Sequence, residues 1–499
     1  MGSFEVRDPR TGDIIATLDE TPVQTVHQMG RAARAALGSW RALGVSERVI
    51  YLRRLRRAFY QRRHQLVDYA TRETGKPDVE VMTAGILANL DLLTYFCKVA
   101  PSVLAPEPLS INPINYPRKR AAIHHEPLGT VAVVSSWNYP IALPMRAIIP
   151  ALLAGNCVLF KPSKEAALTG ACLGEIFEEN LPAGVFATAQ GGRNVIQAVV
   201  DNADKLNFIG STSTGRALAH QCAERMIPSA WELSGIDAAI VLPDCDLERT
   251  VHGVVWGAFT NAGQNCASIE RLLLHRDLAP LFIPRLVEQT RALRLGEDVG
   301  PLRSRAQLDI VEAHVRDAVE RGAKILCGGK ATGTGFFFEP TVFEMPKHEG
   351  LAITEETFGP TLPIILFDTE EEAVRLCNDV PYGLTAGVWT RDLAKGERIA
   401  AQLDVGVAMV NNASFTAALP QATWGGVKGT GYGVTNSKYI LLEMTHPKTV
   451  LVDGNTAREL WWYPYNDRLR NLLDAMIDAN AGKVYRMASA LPNMLKRWG

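Results

Sequence analysis

The feature that most limits what this chain can fold into begins at Gly129. Short β-branched runs alternate there with segments of helical spacing: GTVAVVSSW, IALPMRAIIPALLAGN, CVLFKP, LTGACLGEIFEEN and KLNFIGS follow one another. Strands separated by helix-length stretches pair in parallel with crossover helices, because antiparallel neighbours need only a tight turn. The alternation resumes after residue 266 with RLLLHRD, LAPLFIPRLVEQTRAL, HVRDAVERGAKILCGG and LPIILFDTEEEAVRLCND, which predicts a second α/β domain. Residues 22–100 instead carry apolar positions at helical spacing, as in VIYLRRLRRAFYQRRHQLVDYA, and are expected to form a helical layer ended by the proline-rich connection APEPLSINPINYPRKR. No internal repeat or low-complexity segment is visible.

A chain of 499 residues, 47% hydrophobic and 21% charged, is long enough for two or three domains with their own cores. Its net charge of -1 offers no basic face for a nucleic acid, so a small molecule is the expected partner. No uninterrupted apolar run reaches the ~18 residues of a spanning helix. The start, MGSFEVRDPRTGD, lacks the basic-then-apolar layout of a secretion signal, and a cytoplasmic location is expected. Eight cysteines without a CxxC pair or nearby histidines predict neither a disulfide framework nor a metal site.

Two glycine-rich patterns, GGKATGTG at 328–335 and GTGYG at 429–433, read as turns, since neither lies between a strand and a helix. NFIGSTSTGR at 207–216 differs, because an apolar strand runs into Gly210-Ser211 and then into a helix starting near Thr214-Gly215. Amides at a helix start and a short hydroxyl suit a pyrophosphate, the plain alternative being a Ser/Thr helix cap. Asn138 in SSWNYP stands at the carboxyl end of a strand, where open α/β sheets bind ligands. Lys161 ends the run VLFK, and Glu232 in SAWELSGIDAAIVL is a lone carboxylate in an apolar stretch, where burial is costly. Each of the three has an ordinary alternative as a loop-edge residue satisfied by backbone or water. Cys157 in GNCVLF and Cys327 in KILCGG read as small buried hydrophobes. Cys266 in NAGQNCASIE follows Gly-Gln-Asn and precedes two small residues, which is the pattern of a loop presenting a side chain.

The motifs WNYP, KPS, GSTSTG, ELSG, GQNC, EETFGP, PYGLTAG and GGVK occur in the order found in the aldehyde dehydrogenase superfamily, and the chain resembles it from about Asp8 to Asp453. The resemblance implies an α/β fold of two open parallel-sheet domains: a Rossmann-like cofactor domain over 1–107 and 130–232, and a catalytic domain over 233–445. It implies an oligomerisation element from 108–129 and 446–456, hence a homodimer or homotetramer, with an amphipathic extension over 457–499. By the same resemblance Cys266 is the nucleophile, giving a thiohemiacetal and then a thioester. Asn138 and the Cys266 N–H hold the oxyanion, and Glu232 activates water, which favours release of a free acid over transfer to coenzyme A. A nicotinamide dinucleotide lies across the first sheet, its pyrophosphate at Gly210, Ser211 and Gly215. Lys161 and Ser163 of KPS serve the adenosine side, Glu356 the nicotinamide ribose, and Trp137 and Phe358 the ring.

Three residues after Lys161, where NAD-preferring relatives often carry a glutamate, this chain has Lys164. A lysine cannot accept from a ribose diol but can neutralise a 2′-phosphate, so acceptance of NADP beside NAD is expected. ELSGI at 232–236 also departs, with Ser234 and Ile236 for the usual glycine and lysine. Arg271 stands where relatives carry an arginine regardless of substrate. The loop VNNASFTAALPQATWGG suits a medium-chain, long-chain or bulky apolar aldehyde. The alternatives are a semialdehyde dehydrogenase, which needs an arginine facing the pocket, and a catalytically silent binding relative. In the tail, Leu469, Leu472, Leu473, Met476 and Ile477 fall at helical spacing behind WWYPY, and KRWG closes the chain. A helix packed on the protein or a partner subunit, or peripheral membrane contact, is expected there.

Overall fold

The computed structural model describes residues 2–113, 116–459, 461–483 and 485. They divide into two compact units, one within 2–105 and 125–446 and one within 106–124 and 447–485.

In the larger unit, β1 (Thr130–Val134), β2 (Cys157–Lys161), β3 (Phe186–Thr188), β4 (Lys205–Ile209) and β5 (Ser229–Glu232) form a parallel sheet in the order β3-β2-β1-β4-β5. β1, β2 and β4 are buried along their whole length. Strands covered on both faces need no polar alternation, which is why they read as unbroken apolar runs. Helix α1 (Ala142–Ala154), apolar on nearly every side, is buried at all 13 positions. The order reverses between β1 and β4, so the connections leaving their carboxyl ends diverge and open a crevice. The segment SSWNYP leaves β1 there, and β4 runs through Gly210-Ser211 into helix α2 (Thr212–Glu224).

The second sheet comprises β6 (Asp237–Val241), β7 (Ile269–His275), β8 (Lys324–Cys327), β9 (Thr341–Glu344), β10 (Thr361–Phe367), β11 (Thr385–Trp389) and β12 (Val407–Val410), in the order β8-β9-β10-β7-β6-β11-β12. It departs from the expected all-parallel sheet at one edge, where β8 and β9 are antiparallel. The physical reason lies in GGKATGTG: Gly328 and Gly329 take φ of +70° and +102°, and the chain reverses with Ala331 bridging Phe338. GTGYG is likewise a packing device. Trp231 N–H donates to the Tyr432 carbonyl at 2.8 Å and Leu233 N–H to that of Thr430 at 2.9 Å, covering the outer edge of β5. A Cβ on Gly431 would meet the Trp231 carbonyl at 2.4 Å.

The helical layer consists of Val23–Ala42, Val45–Gln61, Arg63–Thr74 and Ala88–Val103, the last entered through a π-helical turn at Val81–Leu87. The stretch Asp78–Val103 is long and apolar enough to cross a membrane by length and composition. Its Leu92, Leu93, Phe96 and Ala100 instead share one buried core with Ile148 and Leu152 of α1. An antiparallel pair, Ser3–Arg7 with Ile14–Asp19, precedes the layer and has no clear signal in the sequence.

In the smaller unit, Thr445–Asp453, Lys119–Pro127 and Glu107–Leu109 lie side by side in a three-stranded sheet. Lys119 pairs with Asp453 at 2.7 Å and also with Glu459. Val450, Leu451 and Val452 are exposed. Helix Asp467–Asn480 is capped by the Asn466 side chain and buries Leu469, Leu472 and Ala475, with Met476 packed beside them. Leu473 and Ile477, expected on the same face, are exposed. Ile114, Asn115 and the closing KRWG lie outside the described residues.

Candidate active site

Helix α3 (Leu247–Phe259) ends in the turn Thr260–Gly263, where Asn261 and Ala262 take φ of +53° and +54° and Gly263 +70°. A left-handed non-glycine residue costs about 1–2 kcal/mol, so such a turn persists only where its surroundings hold it. Asn261 N–H donates to both Glu80 carboxylate oxygens at 3.0 Å, and the Thr260 hydroxyl donates to Glu80 Oε1 at 3.1 Å. Gln264 fixes the next step: its Nε2 donates to the Pro301 carbonyl at 3.2 Å and its Oε1 accepts from Arg303 N–H at 2.8 Å. The chain then presents Cys266, the one cysteine of the eight that is only partly buried.

Glu232, the last residue of β5, is buried, and its Oε1 accepts from the Cys266 thiol at 3.3 Å and from Trp424 Nε1–H at 3.1 Å. Its Oε2 has no protein hydrogen-bond partner among the described residues. Burial first, then the charge and acceptor of Glu232, push the Cys266 thiol well above its usual pKa. These surroundings favour the thiol of Cys266 over its thiolate. Gly235 allows this approach, since a Cβ there would meet the Cys266 carbonyl at 2.4 Å. Asn138 is buried, with Nδ2 donating to the Gln264 carbonyl at 3.2 Å and Oδ1 accepting from Ser136. One amide hydrogen of Asn138 is left, and the Cys266 N–H donates to no protein group among the described residues.

The two departures in ELSGI are absorbed locally. Ser234 Oγ accepts from the Thr212 hydroxyl at 3.2 Å, and the Ile236 carbonyl accepts from Arg271 at 2.8 and 3.1 Å. Arg271 is fully buried and spends further donors on the carbonyls of Leu376 and Cys377, so it is an internal brace.

At the crevice, Ser211 occupies the cap position of α2 but its side chain caps nothing; its hydroxyl faces those of Ser213 and Thr214 at 3.3 and 3.1 Å. The plain cap is thus not what forms, and the first-turn amides stay open to an anion. Gly210 N–H donates to the Glu232 carbonyl at 3.1 Å, and a Cβ on Gly215 would meet Leu233 at 2.6 Å. Lys161 is buried at the end of β2, its pKa pushed down to about 8 by burial and then by Lys164. Ser163 accepts from Glu165 N–H at 3.3 Å, and Lys164 is half-exposed with Glu20 at 3.8 Å. Lys161, Ser163, Lys164 and Glu165 line a groove of about 840 Å³ with Arg193, Ser213 and Thr214. Trp137 and Phe358 meet edge to face with centroids 5.7 Å apart. Glu270 accepts from Thr357 and Phe358 N–H at 2.8 Å each, holding Phe358 at φ +50°. Glu356 accepts from Gly235 N–H at 2.9 Å, and burial pushes its carboxyl up to about 7. Open helix amides, a buried lysine and a paired-aromatic wall fit a dinucleotide carrying a flat ring.

Sequence reasoning passed over Trp424, Arg146, Arg193, Glu270, Lys76 and Glu80. Arg146 had a signal, being the only charge in the apolar run of α1. It is buried, its Nη2 donates to the Ala417 carbonyl at 2.7 Å, and its guanidinium lies 5.6 Å from the Trp424 ring.

Residues 2–450 match the model of the aldehyde dehydrogenase family. Over 455 residues the chain is 36% identical to the 4,4'-diapolycopene aldehyde oxidase of a Methylomonas species, covering 89% of this chain and 85% of that protein. It is 34% identical to a putative succinate-semialdehyde dehydrogenase [NADP(+)] of Mycobacterium ulcerans, covering 89% of each. The crystal structure of a Mycobacterium tuberculosis aldehyde dehydrogenase complexed with NAD+ superposes with a TM-score of 0.86 at 32% identity, covering 91% of this chain and 96% of that one. With the fold, the crevice and the family match in agreement, the chain belongs to the aldehyde dehydrogenase family and is an oxidoreductase that uses a nicotinamide cofactor.

Proposed function

We propose that the protein oxidises an aldehyde to a free carboxylic acid through Cys266. The observation that carries this reading is the 3.3 Å contact between the Cys266 thiol and Glu232 Oε1. Glu232 takes the thiol proton as Sγ bonds to the carbonyl carbon, and the oxyanion of the thiohemiacetal is held by the Asn138 amide and the Cys266 N–H. A bound oxidised nicotinamide supplies the acceptor for the hydride that leaves this carbon. Glu232, having released its first proton to solvent, deprotonates the water that attacks the thioester; the C–S bond breaks and the acid departs.

Ser211, the α2 amides and Lys161 would hold the dinucleotide, with Glu356, Trp137 and Phe358 on the nicotinamide side. Lys164 and Arg193 in the same groove support NADP, since two cations suit a 2′-phosphate better than a diol. Beside Cys266, Ala267, Leu384, Val407, Met409 and Trp424 form an apolar cluster, which supports a bulky apolar aldehyde, as does the name of the Methylomonas relative. The name of the Mycobacterium ulcerans relative supports a second reading, an aldehyde bearing a distal carboxylate, for which Arg146, beside Trp424 of that cluster, is the candidate cation. The exposed strand Thr445–Asp453 supports a homo-oligomer.

The test is reduction of NAD and NADP with aldehydes ordered by chain length and charge, using wild type and Arg146→Met. A loss in the variant much greater for carboxylate-bearing aldehydes than for apolar ones establishes the second reading, and no reduction of either cofactor by any aldehyde refutes both.

A further inference from the structure

Two charged side chains in the segment that follows helix Arg63–Thr74 reach the residues around Cys266 and Asn138. Lys76 is 3% exposed, its Nζ donates to the backbone carbonyl of Asn138 at 2.7 Å, and it sits 3.5 Å from the centre of the Tyr139 ring. Glu80, four residues on, grips the left-handed turn through Asn261 N–H and the Thr260 hydroxyl. The circuit closes on the other side. Asn261 Nδ2 donates to the carbonyls of Gln264 at 2.8 Å and Asn138 at 3.3 Å, and Asn138 Nδ2 donates to that of Gln264. Gly75 takes φ +73° with its Cβ position 2.4 Å from the Pro301 side chain, and Pro301 in turn holds Gln264. Three distant segments are thus locked together: 75–80, 138–139 and 260–266.

A buried ammonium is expensive, and nothing in packing alone calls for one under the WNYP loop. Burial lowers the Lys76 pKa to about 7 and raises that of Glu80, each partly offset by the other. A methionine of similar length would fill this space without that cost. The carbonyl that Lys76 holds belongs to the residue whose amide faces the nascent oxyanion, and the turn that Glu80 holds carries the nucleophile.

We propose that Lys76 and Glu80 are positioning residues that set the oxyanion donor Asn138 against the Cys266 loop, Lys76 acting through the Asn138 backbone and Glu80 through Asn261. This rests on the reading of Asn138 and Cys266 given above. Misplacement of a reacting group by about 1 Å can cost ~10²-fold, and outright loss of an oxyanion donor ~10²–10³-fold.

The experiment compares Lys76→Met, Lys76→Arg, Glu80→Gln, Asn138→Ala and Asn138→Ala/Lys76→Met in the full-length protein. Steady-state oxidation, cofactor affinity and the rate of Cys266 alkylation by iodoacetamide are measured on each. Lys76→Met is expected to lower kcat by about 10- to 100-fold with KM and cofactor affinity within about twofold. Alkylation stays within about threefold, because displacement of iodide builds no oxyanion on a carbonyl. Lys76→Arg recovers most of kcat, and Glu80→Gln loses about tenfold. In the Asn138→Ala background, Lys76→Met costs less than about twofold more, because the donor it positions is already gone. A wild-type kcat in Lys76→Met, or an undiminished loss in the Asn138→Ala background, overturns the proposal. Should Lys76→Met not fold, Glu80→Gln and Lys76→Arg decide it, and a lower melting temperature with full kcat in both marks a merely structural pair. A wild-type kcat in Asn138→Ala would instead sink the oxyanion reading beneath it, whatever Lys76 does.

Discussion

Replacing Glu232 by Gln separates the two halves of the proposed reaction. The amide keeps the shape of the carboxylate, and its oxygen still accepts from Trp424 Nε1–H, now 3.1 Å away, and from the Cys266 thiol at 3.3 Å. What is lost is the base and its charge. General-base assistance is worth about 10²–10⁴-fold, or about 2.7–5.5 kcal/mol of barrier at about 1.36 kcal/mol per decade. That loss falls on thioester hydrolysis, since no other carboxylate approaches Sγ among the described hydrogen bonds. The charge acts in the opposite sense on the thiol: a neighbouring carboxylate disfavours the thiolate, so its removal lets the raised Cys266 pKa fall. Stopped-flow absorbance is therefore expected to show a burst of about one reduced nicotinamide per site, then a steady state slower than wild type by about 10²–10⁴-fold. Iodoacetamide alkylates Cys266 of the variant faster than wild type at neutral pH. A steady state within about threefold of wild type refutes Glu232 as the hydrolytic base. Absence of a burst with Cys266 still alkylated moves its indispensable role to thiol activation.

Two further outcomes test the groove and the core. Lys164→Glu is expected to lower the ratio of kcat/KM with NADP to that with NAD by at least about tenfold, some 1.4 kcal/mol, with Arg193→Ala shifting it the same way; unchanged ratios in both would remove these cations from cofactor choice. Asp237, fully buried beneath the active-site loop with Thr385 donating to it at 2.6 Å, has its carboxyl pushed up to about 8 by burial. The folded chain thus holds a proton that the unfolded chain releases near pH 4. The stability linked to it is complete below that pH and is lost as pH rises toward 8, with a slope of at most about 1.36 kcal/mol per pH unit. Asp237→Asn should remove this part of the decline, measured as denaturant midpoints at pH 5 and pH 8. Parallel declines in both proteins would show that Asp237 ionises normally in the folded state.

What could be read from the sequence was local. β1, α1 and β2 announce themselves because a strand or helix covered on all sides needs only apolar residues, and VAVV, IALPMRAIIPALLA and CVLF supply them. Cys266 stood out because its neighbours are wrong for a core. The direction of β8 was not legible, since side chains alternate with a period of two whether a strand runs parallel or antiparallel, and only the glycine pair after it hints at reversal. Nor were the partners that make the thiol useful. Trp424 lies 192 residues from the carboxylate it holds, and Glu80 lies 181 residues from the amide it accepts. No periodicity marks either contact, because one hydrogen bond between distant segments leaves no pattern in the residues beside it.

Arg146 shows where a local anomaly stops being informative. A lone charge within an apolar helix is visible in the sequence, and its burial is costly enough to demand a partner. Only the fold reveals that this partner is the carbonyl of Ala417, in the loop that leads to Trp424, so that a cation stands behind the ring whose N–H holds the base. The arrangement ties the loop 414–424 to the position of Glu232. Whatever shifts residues 414–424 moves Trp424 Nε1, and with it the Glu232 oxygen that accepts from both the indole and the Cys266 thiol. In the proposed reaction, substrate choice and thiol chemistry are thereby linked through one indole, and Arg146→Met is expected to change the acylation rate as well as the preferred aldehyde.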